Sequence, residues 1–138
     1  MAEVVDRETA ELEFNKWAAA MDLTAKLDPA TLDDADRKEV ATEKRRLVDA
    51  IMDGRLVVND KGEFVFTPVT EERPQPILFS EPSGAALMAI DKAGERENVR
   101  KSFNVLAEIT GQNVPRYARM KNRDLSVCTA ILILFLAK

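Results

Sequence analysis

Residues 123 to 138 read R-D-L-S-V-C-T-A-I-L-I-L-F-L-A-K, and between Leu125 and Ala137 the polar side chains are Ser126 and Thr129. No other stretch of the chain is as apolar. A helix that spans a bilayer needs about 20 apolar residues, and this run is shorter. It is therefore expected inside protein. A helix that is apolar on every side is either central in a core or lends part of its surface to a partner, so the fold is expected to be built around this last helix.

Just before it, Arg116, Arg119, Lys121 and Arg123 surround Tyr117 and follow Pro115. The cluster reads as a short solvated connector that keeps the helix start soluble, with nucleic-acid contact as the alternative. Further upstream, Asn98–Thr110 is expected to be a helix stopped by Gly111, and Ser83–Lys92 another helix after Pro82. Leu87, Ile90, Val99, Phe103, Leu106 and Ile109 should supply their buried faces. Before these lies R-L-V-V-N-D-K-G-E-F-V-F-T-P, in which two β-branched and aromatic runs flank a turn sequence with Gly62 at its end. That predicts a hairpin of Arg55–Val58 and Glu63–Thr67, with Ile77–Ser80 as a third short strand. A lone hairpin is marginal, so the third strand or a helix must support it.

The front of the chain reads as two helices. From Arg7 to Met21 the apolar residues Leu12, Phe14, Trp17, Ala18 and Met21 recur at mostly helical spacing. Asp22–Ala30 is expected to connect this helix to a second one over Thr31–Asp53, stopped by Gly54. The middle of the second helix is dense in charge, with Asp33/Arg37 and Asp34/Lys38 placed to pair at four-residue spacing. Only its end, at Leu47, Val48, Ile51 and Met52, should dock on the core. The expected architecture is mainly α with a small β-hairpin or three-stranded meander, an α+β class. Residues 1–54 form a charged helical pair, and residues 55–138 form the hairpin with a C-terminal helical bundle packed around the last helix.

Composition narrows the function. The chain has 138 residues, room for one modest core, and scarce aromatics leave packing to aliphatic side chains. Net charge is −4, distributed as −6 over residues 1–54, −2 over 55–94 and +4 over 95–138. An acidic chain lacks the cation excess that drives non-specific nucleic-acid binding. The front and back could instead attract each other or orient a partner. There is no histidine and a single cysteine, Cys128. The commonest general base, imidazole metal sites and thiolate-rich metal sites are therefore ruled out, and Cys128, inside the apolar run, reads as a small buried hydrophobe. The five glycines are scattered, so no phosphate-cradling loop is visible, and Asn59, Asp60, Gly62 and Glu63 are explained by the hairpin without calcium. No catalytic residue, cofactor or metal is expected. The N-terminal residues show no secretory pattern, which predicts an intracellular compartment.

The C-terminal half carries an ordered set of features. A strand I-L-F-S leads to E-P-S-G-A-A-L-M-A-I-D, then F-N-V-L-A-E-I-T-G, a short loop, and R-D-L-S-V-C-T-A-I-L-I-L-F-L. This order resembles the tail assembly chaperones of tailed bacteriophages, at Glu81, Pro82, Gly84, Leu87, Asp91, Leu106, Thr110, Gly111, Asp124, Leu125, Phe135 and Leu136. The match covers about residues 77–136, and residues 1–53 depart from the shorter family members. The resemblance implies a non-enzymatic protein in the cytoplasm of an infected or lysogenic bacterial host. Such a protein binds the tape-measure protein and keeps it soluble while tail-tube subunits assemble around it; the tail tube protein is a second candidate partner.

A mechanism follows from helix-in-groove recognition. Leu132, Phe135 and Leu136 are the candidate apolar contacts, with Arg116 and Arg119 at a polar rim, although each apolar residue reads more readily as ordinary core. A homo-oligomer is expected if the last helix is not fully covered. The alternatives are a small helical nucleic-acid-binding regulator using Arg116–Arg123 and a structural adaptor retained in the phage particle.

Overall fold

Short polar side chains open the helices. The carboxylate of Asp6 accepts a hydrogen bond from the Thr9 N–H at 2.7 Å and that of Asp33 from the Asp36 N–H at 2.8 Å. The Asn113 side chain accepts from the Arg116 N–H at 3.1 Å. Each satisfies a donor that has no partner within the first turn of a helix. In the computed structural model, which describes residues 4–83 and 98–135, these caps begin α1 (Arg7–Ala20), α2 (Asp34–Met52) and a short helix, α4 (Val114–Arg119). Between α2 and α4 lie β1 (Leu56–Val58), β2 (Phe64–Phe66), β3 (Ile77–Phe79) and α3 (Asn98–Thr110). The last helix, α5, spans Asn122–Phe135. The helix expected over Ser83–Lys92 lies almost wholly outside the described residues.

Helices α1 and α2 end alike. The Leu23 N–H reaches the Ala18 carbonyl and the Arg55 N–H the Ala50 carbonyl, each bond closing the last helical turn. The residue in the left-handed conformation is Gly54 (φ 80°) after α2 but Asp22 (φ 58°) after α1. A 3-10 turn over Pro29–Thr31, capped by Asp28, precedes α2, so this helix starts a few residues later than expected. The charge pairing also differs from the expected four-residue pattern. Asp33 is occupied as a cap, and Arg37 instead meets Asp34 one residue closer, at 3.2 Å, while also reaching the carbonyls of Pro29 and Leu32.

The three strands form one antiparallel sheet in the order β1-β2-β3, with Leu56 opposite Phe66 and Phe64 opposite Phe79. Alternation gives it two faces. Leu56, Phe64, Phe66, Ile77 and Phe79 are fully buried on one face, while Val57, Val65 and Leu78 line up across the other. Asn59 braces the hairpin turn by accepting from the N–H groups of Lys61 and Glu63. Gly62 (φ +81°) presses so closely on α1 that an added Cβ would lie 2.3 Å from that of Ala20.

Trp17 ties the layers together. It stacks on Phe64 at 4.4 Å between ring centroids, meets Phe135 edge-on at 5.4 Å and touches Phe14 at 5.6 Å. One tryptophan thus joins α1, β2 and α5. The buried face of α1 is Ala10, Phe14, Trp17 and Ala18; Leu12, expected on that face, is 64% exposed because, two residues before Phe14, it falls on the opposite side of the helix. Helix α5 packs chiefly on α2 and less on α3, so its cover comes mostly from the front of the chain. Val40, Leu47, Val48, Ala50 and Ile51 of α2 belong to the same buried cluster as Val127, Ile131, Leu132 and Leu134 of α5.

Candidate functional site

The basic cluster before the last helix is not a solvated loop. Asn113 caps α4, Pro115 occupies its first turn, where no N–H is needed, and the six-residue helix turns Tyr117 fully into the core. The Tyr117 hydroxyl hydrogen-bonds that of Thr110, whose own Oγ1 donates to the Leu106 carbonyl. Burial pushes the Tyr117 phenol up to about 12, so it stays protonated and serves as a strut.

Arg116, the residue before Tyr117 in the helix, grips the loop between β2 and β3. Its Nε and Nη2 donate to the two carboxylate oxygens of Glu71 at 3.1 and 2.8 Å, Nη2 also reaches the Gln75 carbonyl at 2.8 Å, and Nη1 meets Gln112 at 2.7 Å. A two-pronged arginine–carboxylate pair is the strong form of such an interaction. Its side chains are only 13% and 23% exposed. The Glu71 hydrogen bond holds the Arg116 guanidinium more firmly protonated than usual, against the opposing effect of burial.

A second clamp holds the same loop from α5. Asp124 is fully buried, and its carboxylate accepts from the Val69 N–H at 2.8 Å, from the Thr70 N–H at 2.9 Å and from the Thr70 hydroxyl. Three donors compensate for taking one charge out of water. Between the clamped loop and the α4–α5 junction lies a groove of about 580 Å³, lined among others by Arg73, Gln112, Asn113, Arg116, Arg119 and Lys121.

The candidate contact residues separate. Leu132 and Phe135 are 2% and 6% exposed, and therefore belong to the core instead of lining a surface groove; the reason is the cover that α2 and Trp17 place over α5. Leu136 lies outside the described residues. Arg116 is spent on Glu71, whereas Arg119 is exposed at the groove. Glu71 and Arg73 escaped the sequence reading because E-E-R among prolines has no periodicity to assign it a face. Asp124 did offer a signal, a lone acid opening an otherwise apolar helix.

Cys128 is fully buried, and burial, reinforced by the negative charge of Asp124, pushes its thiol far up, away from the thiolate that nucleophilic chemistry needs. Among the described residues no group of three or more Cys, Asp or Glu side chains is placed to hold a metal ion. None of their helices is long and apolar enough to cross a membrane. No protein-family model matches the sequence, and no curated protein or solved structure matches it.

Proposed function

We propose that the chain is a phage or prophage tail assembly chaperone that binds the tape-measure protein in the host cytoplasm and keeps it soluble during tail-tube assembly. The reading rests on the sequence resemblance. The supporting observation is the place of the residues that carry it: Leu106 and Thr110 anchor Tyr117, Gly111 (φ 68°) ends α3, and Asp124 clamps the β2–β3 loop. They are joints of a scaffold, as a family defined by packing instead of chemistry would require.

With Leu132 and Phe135 in the core, the apolar contact moves to the open face of the sheet. Val57, Val65 and Leu78 form one row across three strands, and Val57 and Leu78 are 37% and 42% exposed. Such a row is about 10 Å long, which is also roughly the rise from residue i to i+7 on a helix. The apolar stripe of an amphipathic partner helix therefore fits along it.

The test is co-expression with the longest reading frame immediately downstream, followed by pull-down and a solubility assay. A large helical product that becomes soluble only with this chain, and is released by Leu78→Glu, carries the proposal. Absence of association overturns it; association indifferent to Leu78→Glu overturns the assignment of the sheet face.

A further inference from the structure

The open face of the sheet does not stop at its strands. Beyond Phe66 the chain keeps the alternation of β2: Pro68 is buried, as Phe66 is, while Val65 and Thr67 are partly exposed and Val69 is 47% exposed. Alternate residues of an extended chain face the same way. Val65, Thr67 and Val69 therefore continue one surface from the row of Val57, Val65 and Leu78 out onto the β2–β3 loop. Of the five large exposed apolar side chains among the described residues, Val57, Val69 and Leu78 belong to this surface, so exposed apolar area is concentrated there. The extension is also fixed in place. Asp124 holds Val69 and Thr70, and Arg116 holds Glu71 and Gln75. A surface held this way loses little freedom when something binds.

One residue beyond Val69 the chemistry changes. Thr70 lies on the groove of about 580 Å³ beside α4. Arg116 and Glu71 neutralise each other on its lining, while Arg73, Arg119 and Lys121 stand exposed against Glu72, with no ion pair among the described residues. Apolar ground thus runs directly into concave, positively charged ground, on a chain whose formal charge is −4. We infer that one partner segment carries both complementary chemistries: an amphipathic helix whose apolar stripe lies on the sheet face, continued by an acidic stretch seated beside Arg73, Arg119 and Lys121. The inference rests on the reading that the sheet face takes a partner helix, and adds what that helix carries next to its stripe. The apolar row supplies contact area, and the cations reject a helix whose stripe is followed by basic residues. Nucleic acid fits less well. Single strands need bases stacked on aromatic rings as well as cations, and no aromatic side chain among the described residues lines the groove.

The test uses the full chain and three labelled peptides of about 20 residues, long enough for a few turns on the sheet and a run beyond them. All share one leucine stripe at helical spacing, and the residues flanking it at both ends are glutamates, glutamines or lysines. Fluorescence anisotropy should show the glutamate peptide binding about tenfold tighter than the glutamine peptide, the size expected of two or three exposed ion pairs, with the lysine peptide weakest. That advantage should vanish at ~500 mM salt and in the double variant Arg119→Gln with Lys121→Gln, whose circular dichroism should match the wild type. Leu78→Glu should weaken all three peptides. Equal affinity for the three, still lowered by Leu78→Glu, overturns the acidic stretch and leaves the sheet face standing. Binding indifferent to Leu78→Glu overturns the sheet face and the joint site with it. A glutamate advantage that survives the double variant overturns the part given to the groove. A single strand of about 12 nucleotides that binds the wild type more tightly than the glutamate peptide does, and fails to bind the double variant, assigns the groove to nucleic acid and also overturns the inference.

Discussion

The first turns of α2 and the whole of α5 are opposite extremes of one molecule. Residues 33–39 are exposed on every side, and eight of the fourteen residues of α5 are buried. Neither segment is amphipathic, so neither carries the stripe that usually tells a helix which way to face. What places them is their neighbours. The second half of α2 covers α5, and the first half then runs past the edge of the core it helped to build. The comparison teaches that burial here is decided along α2, where one helix changes from charged to apolar partway through.

The largest effect should come from breaking the buried extreme. Leu132→Ala removes a side chain that is 2% exposed and is expected to cost about 3–4 kcal/mol. A fall in the urea midpoint of that size places Leu132 in the core, and a stable variant that loses only partner binding would contradict that placement. Asp124→Ala comes next. It deprives the Val69 and Thr70 donors of their acceptor, and because water can reach those exposed residues the loss should be about 2–3 kcal/mol. Hydrogen exchange at the Val69 and Thr70 amides should accelerate before the rest of the molecule responds.

Alkali probes the same region without mutation. The Tyr117 phenol is pushed up to about 12 by burial, and the Cys128 thiol is also raised. The folded state therefore holds both protons more tightly than the unfolded chain. The stabilisation is complete below their ordinary values, about 8.5 for Cys and 10 for Tyr, and declines as pH rises beyond them toward the folded-state values. Chemical denaturation at pH 8, 10 and 11 should show a progressive loss, and Tyr117→Phe should make the profile shallower between pH 10 and 11. The smallest effect belongs to the exposed extreme. Asp34→Ala removes one surface pair and should change stability by no more than about 0.5 kcal/mol; a larger loss would mean that the start of α2 is held by more than its own turn.

Much of the fold was legible because its signals are local. The hairpin followed from a turn sequence between β-branched runs, the third strand from I-L-F among prolines, and α3 from its spacing and Gly111. Helix α4 was missed because six residues give no period to read, and P-R-Y-A-R resembles a solvated connector until Tyr117 is seen buried. Leu12 was misplaced because apolarity was taken as burial, whereas a residue two positions before Phe14 falls on the opposite side of a helix. The candidate site was half legible. The cations were visible, but Glu71, which neutralises one of them, is 45 residues away in the chain.

By itself, the sequence determined the class of the fold, the apolar last helix, the charge asymmetry and the lack of imidazole chemistry, because composition and short-range periodicity express those directly. Tertiary structure decided which cations are free, that Leu132 and Phe135 face inward, and that the β2–β3 loop is clamped by Arg116 and Asp124. Each of those outcomes depends on pairs of residues distant in the chain, and a pair's energy exists only once folding has brought both partners to hydrogen-bond distance.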